Sequence, residues 1–270
     1  MELELKLLWA AIVLYVLGGS LAIGGVVLAK RPERTVLGFI LGGWVLHTAA
    51  LLVRWERLGH GPFVSMFEIL SSNIWSLLLA FSIAYWRIPQ IRASAAVVMP
   101  ILFVMMGWLM LTSPGESHLP RSFVTPWLYI HVGLGKVFLG AMLVAVGLAG
   151  VIQLRRTRVG QAKFQRLPDD RKLDDLAYRC MALAMIFNAL MLVAGAIWAQ
   201  DAWGRYWAWD PLETWAFITW LLLAFSLHLR VTFKPAPRLS SSMAFVVFVI
   251  AFLTFFGVPF ISSGPHQGTF

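Results

Sequence analysis

The chain has 270 residues, 59% of them hydrophobic and only 13% charged. A soluble domain is about one-quarter charged, and here apolar runs close to the ~20 residues of a bilayer crossing recur along the whole length, so the composition excludes a soluble globular protein. A formal charge of +9 in a membrane chain reports orientation and not a nucleic-acid partner, and a lone cysteine, Cys180, excludes an internal disulfide, a CxxC redox pair and a CxxCH attachment motif.

The first apolar run, 7–29, outlasts a signal-peptide core and lacks a small-residue cleavage site, so it reads as a span. Further spans are predicted near 36–55, 67–86, 93–112, 127–152, 180–199, 212–230 and 241–263. The pattern predicts an all-α polytopic membrane protein of about eight transmembrane helices, forming a single transmembrane domain over 1–270. If the first loop is cytoplasmic, sixteen of the 22 Lys and Arg fall in inner loops, five (Lys6, Arg54, Arg57, Arg121, Arg205) fall in outer segments, and Lys136 lies within a span. That asymmetry places both termini on the outer side.

Taken in chain order, span two carries His47 near its middle, where a polar group is costly; a hydrogen-bonded core histidine is the better reading. Met105, Met106 and Met110 in span four are soft ligands in principle and packing residues in practice. Span five opens with "PWLYIHVGLGK", which puts His131 at the outer side and Lys136 five residues further in. Two readings of Lys136 stand: it snorkels outward, or it meets a carboxylate such as Glu68 or one on a ligand. The inner segment "LRRTRVGQAKFQRLPDDRKLDDLAYR" mixes signs and reads as a solvated helical linker able to touch anionic lipid.

Between spans six and seven comes "WGRYWAWDPLETW", residues 203–215. Its acids have a local explanation, with Asp210 as N-cap, Pro211 at the first helical position and Glu213 three residues on, as in a capping box. The density of rings is not explained that way. An interfacial belt would spread tryptophans over all span ends, whereas Trp198, Trp203, Trp207, Trp209 and Trp215 fall within eighteen residues and suit a stacking surface for a large, flat, apolar ligand. His131 and His266, the latter after span eight in "SSGPHQGTF", stand at the height of this loop, and two neutral imidazoles across a flat macrocycle give bis-histidine ligation of heme iron. His228, near the inner end of span seven, lies roughly 12 Å from the depth of His47, so these two do not pair, and a partner for His228 would come from outside the chain.

"GAIWAQDAWGRYWAWDPLETWAFITWLLLAFSLHLR" (195–230) resembles the tryptophan-rich WWD domain of the cytochrome c assembly family, closest to its CcsA (ResC) branch. "GHGPFVSMFEILSSNIW" (59–75) and "LPDDRKLDDLAYR" (167–179) are similar to other segments of that branch, as is the interval from Gly257 to His266. Leu212 stands where the family core has a lysine, and Lys136 has no counterpart in the pattern. The resemblance implies an eight-span protein in the cell membrane whose WWD loop, on the extracytoplasmic side, holds heme b non-covalently. Trp203, Tyr206, Trp207, Trp209, Asp210 and Trp215 would form the site and His131 and His266 would hold the iron. It also implies that His228 is the intramembrane histidine, that a CcsB (ResB)-type membrane partner supplies a second one, and that heme is presented to the cysteines of an apocytochrome c, as in the heme-delivering subunit of a heme lyase. Two alternatives are a HemX-like accessory protein of the same family and a quinone-reactive membrane cytochrome b, against which the unequal depths of His47 and His228 count.

Overall fold

The computed structural model describes residues 1–30 and 32–261, with side chains to 259. All regular structure among the described residues is helical: α1 (Glu2–Val27), α2 (Glu33–Leu58), α3 (Met66–Arg87), α4 (Ala95–Leu111, entered through a 3-10 stretch at Pro89–Ser94), α5 (Pro126–Leu154), α6 (Arg158–Lys163), α7 (Asp170–Trp203), α8 (Pro211–Phe233), α9 (Pro237–Phe252) and α10 (Val258–Ile261). Eight of these are long and apolar enough to cross a membrane, α4 together with its 3-10 lead-in and α9 together with the π-helical turn Leu253–Gly257 that follows it. The chain is therefore an all-α, multi-pass membrane protein, as its apolar runs predict.

Helix α5 is the axis of the bundle, with 83% of its membrane segment buried against 22–28% for α2, α7 and α8. Its small residues permit this. A Cβ on Gly147 would come within 2.6 Å of Val98, and one on Gly150 within 2.5 Å of Val97, so bare backbone at those two positions is what lets α4 pack closely, as small residues do between membrane helices.

The inner segment 154–179 is helical over 158–163 and from 170 on, as expected, but several of its charges are engaged within the chain and not simply solvated. Asp169 caps α7, which starts ten residues before the predicted span, and the guanidinium of Arg230 at the end of α8 pairs with Asp174 at 2.7 Å and Asp175 at 2.6 Å. Arg155 gathers the carbonyls of Phe164, Leu167 and Pro168 and the carboxylate of Asp170. Arg155, Asp170, Asp174 and Asp175 are thus parts of intramolecular clamps on helix ends. They look like a solvated linker in sequence because each partner lies on another element.

At the opposite end of the bundle a buried ionic hub joins four segments. Arg54 of α2 contacts Glu4 of α1 (2.9 Å) and Glu68 of α3 (2.9 Å), and donates to the carbonyls of Pro114 (3.1 Å) and Gly115 (2.7 Å) in the 112–125 loop. Glu68 also closes a capping box with Ser65 and accepts from Ser117 at 2.6 Å and from the amide of Val64 at 2.8 Å. The loop is thereby fixed as a roof over the start of α5.

Candidate functional site

Beneath that roof, α3, α5, α7 and α8 enclose a chamber of about 230 Å3, far above the ~10–15 Å3 that one water occupies on the same measure. The roof contributes Leu119 and Phe123, α3 contributes Ile69 and Asn73, and α8 contributes Leu212, Glu213 and Ala216. From α5 come Leu128, His131, Val132, Gly135 and Lys136, and from α7 Met191, Gly195 and Trp198. The π-helical turn supplies Thr254 and Phe255; its extra residue per turn re-aims side chains that a regular α9 would direct elsewhere.

His131 is the polar anchor of this space. Its Nδ1 lies 2.9 Å from the Met191 carbonyl. A carbonyl only accepts, so Nδ1 carries the proton and the lone pair falls on Nε2, the arrangement that orients a metal-ligating histidine. Trp198 lies nearly parallel to the imidazole, with centroids 6.1 Å apart and planes 16° apart, and is itself pinned by donation from its Nε1 to the Phe123 carbonyl at 3.0 Å. Gly195 makes the approach possible, since a Cβ there would lie 2.7 Å from Nδ1 of His131.

The aromatic segment forms a partition instead of a flat floor. Trp207 lines the chamber on one side and, on the other, an open apolar groove between α7 and α8 with Trp209, Phe217 and Trp220. Trp207 meets Trp209 edge to face at 85° and Phe217 at 79°. Tyr206, 60% exposed, stands at the chamber mouth. Trp203 lies behind, edge to face with Trp198 at 5.0 Å, and its ring, like that of Trp215, is not among the described chamber walls. Trp209 has φ +58°, a left-handed conformation that is uncommon for a bulky residue and clusters at functional sites.

Asp210 caps α8 as expected, accepting from the amide of Glu213 at 2.9 Å. The return bond differs from a closed capping box: the Glu213 carboxylate reaches past Asp210 to the amide of Ala208 at 2.7 Å. Both acids therefore fix the loop that carries Trp207 and Trp209. Asp210→Ala is expected to cost about 1 kcal/mol, seen as a fall of roughly 2–4 °C in the thermal midpoint of the detergent-solubilised chain; an unchanged midpoint would count against the cap.

A family model described as cytochrome C assembly protein matches residues 38–266, most of the chain. The chain belongs to the cytochrome c assembly family. Relatives named cytochrome c biogenesis protein CcsA include that of Synechococcus sp. (strain CC9902), 30% identical over 98% of this chain and 96% of its own length. That of Prochlorococcus marinus (strain AS9601) is 27% identical over 90% of this chain and 87% of its own. A solved structure, the cytochrome c heme lyase CcmF, matches with a TM-score of 0.73 at 20% identity over 98% of this chain and 47% of that one. The chain spans about half the length of that protein, and the likeness is one of fold.

The other histidines of this family member separate by environment. His47 is fully buried, with Tyr15 at 3.3 Å from Nδ1 and Ser71 at 2.9 Å from Nε2, a core histidine with both nitrogens engaged. His60 is buried against the Ser117 carbonyl at 2.9 Å and belongs to the roof. His228 is exposed on α8, with Thr232 at 3.5 Å, and is not among the chamber walls. His266 lies outside the described residues. Met105 and Met106 are buried in the core and Met110 is exposed; none of them lines the chamber. Lys136 reaches Ser72, not Glu68, because Glu68 is committed to Arg54 and Ser117. Sequence reasoning missed Gly195 and Phe255. The small pair Gly195-Ala196 three residues before Trp198 was the available signal for the first; the second depends on a π-turn that no local pattern announces.

Proposed function

We propose that this chain binds heme b non-covalently at the aromatic end of the bundle and presents it for attachment to an apocytochrome c, as the heme-delivering subunit of a cytochrome c heme lyase. The observation that carries the reading is His131, whose Nε2 lone pair is fixed by the Met191 carbonyl on the wall of an apolar aromatic chamber. His266 would be the second axial ligand; it follows Pro259, a chamber wall, by seven residues. The aromatic end faces outward in this reading, because the loops at the other end carry sixteen of the 22 Lys and Arg. Trp207 and Trp209 border the groove through which an apolar ligand would arrive from the membrane, and exposed His228 suits pairing with a CcsB-type membrane partner. Heme supplies the vinyl groups and the apocytochrome the thiols; this chain's residues bind, orient and exclude water.

The test is the pyridine-hemochrome and reduced-minus-oxidised spectrum of the purified chain supplied with hemin. Wild type is expected to carry b-type heme, and His131→Ala to lose at least about tenfold in occupancy, since even outer-shell changes cost ~10–100-fold. A heme-free wild type, or a His131→Ala spectrum equal to it, would overturn the reading.

A further inference from the structure

One basic side chain on the chamber wall is paired with no carboxylate among the described residues. Lys136 of α5 lines the chamber, its Nζ donates to Ser72 Oγ at 2.9 Å, and among the described residues no carboxylate reaches it within ion-pair distance. The acid on the chamber wall, Glu213, is held by the Ala208 amide, and Glu68 of α3 is held by Arg54 and Ser117. Nor does the ammonium escape to the interface as a snorkelling lysine does. Ser72 stands six residues into α3, about 9 Å below the helix start at ~1.5 Å per residue. An ammonium has three donors, and a desolvated cation is costly unless a partner neutralises it. A cation kept at such a place marks a ligand site.

We infer that Lys136 binds a carboxylate of the chamber's ligand. On the heme reading above, on which this rests, that group is a propionate, and the lysine sets which edge of the macrocycle faces out. His131 and Lys136 are five residues apart on α5, about 7.5 Å along its axis, and are drawn to opposite sides, His131 to Met191 on α7 and Lys136 to Ser72 on α3. A macrocycle whose metal sits at His131 and whose acid edge sits at Lys136 is fixed in rotation about the iron axis. Lys136 is the deeper of the two from the start of α5, so the acid edge points inward and the opposite, vinyl-bearing edge points toward the mouth at Tyr206. The ligand class is then an amphiphilic metal chelate with at least one free acid, and esterifying the acids abolishes the preference.

The experiment titrates iron protoporphyrin IX and its dimethyl ester into the purified full chain, following the Soret band and tryptophan quenching for wild type, Lys136→Met and Lys136→Arg. Wild type is expected to bind the free acid about 10- to 100-fold more tightly than the ester, the range of a charge-assisted contact out of water. Lys136→Met binds both with the ester's affinity, Lys136→Arg keeps part of the preference, and the thermal midpoint of Lys136→Met without ligand is no lower than wild type. Equal wild-type affinity for acid and ester, with a His131-dependent Soret band, overturns the lysine assignment and leaves the heme reading standing. So does a Lys136→Met variant that retains the preference or unfolds at lower temperature. Failure of wild type to bind either porphyrin overturns both.

Discussion

Arg54→Met is expected to lower the thermal midpoint of the chain by roughly 6–20 °C, and to do so with methionine filling much of the arginine's volume. Arg54 is 2% exposed and is the shared cation of Glu4 and Glu68, themselves 3% and 0% exposed. Arg57 would still hold Glu4, through contacts at 2.9 and 3.1 Å. The loss therefore falls on Glu68, left with the Ser117 hydroxyl and backbone amides, and on the carbonyls of Pro114 and Gly115. Breaking a buried pair by removing one partner costs about 3–5 kcal/mol, and each kcal/mol is worth roughly 2–4 °C in a chain of this size class. Arg54→Lys should rescue little, because three nitrogens of a planar fork serve Glu68, Glu4 and the roof in three directions. Pairing Arg54→Met with Glu68→Gln should recover part of the loss, since it removes the stranded charge. Unfolding followed by tryptophan fluorescence in detergent decides it: a midpoint within a degree or two of wild type would mean the hub is ornamental.

That hub also marks the boundary of what the sequence discloses. The eight spans were legible because a bilayer imposes a length and an apolarity on each segment separately, so no knowledge of neighbours was needed. The cap at Asp210 was legible for the same reason, its partner being three residues away. Arg54 was not: its partners are 50, 14 and 60 or more residues distant, and in the sequence it is one of five cations near outer span ends. The aromatic segment falls between these cases. Its ring content predicts a ligand surface, but the left-handed turn at Trp209 and the edge-to-face packing of Trp207 convert that surface into a wall between two spaces. Only the backbone path decides which of the two an indole faces.

Gly195→Ala tests the ligand side of the site without touching a ligand residue. A glycine inside a membrane helix is replaceable on helix grounds, and alanine is favoured by about 1 kcal/mol in a helix interior. Here the added Cβ would lie 2.7 Å from Nδ1 and 2.8 Å from Cε1 of His131, closer than carbon and nitrogen tolerate. The imidazole has to leave its place beside the Met191 carbonyl and Trp198, and with that bond goes the constraint that puts the lone pair on Nε2. Loss of such orienting contacts typically costs ~10–100-fold in metal affinity, so hemin should bind Gly195→Ala that much more weakly, with an altered axial-ligand spectrum, while the apo midpoint stays near wild type. Unchanged affinity and spectrum would show that His131 does not hold the iron. Weaker binding at unchanged stability would separate orientation from folding at this site, because the same methyl group that suits α7 displaces the ring α7 was left bare to accommodate.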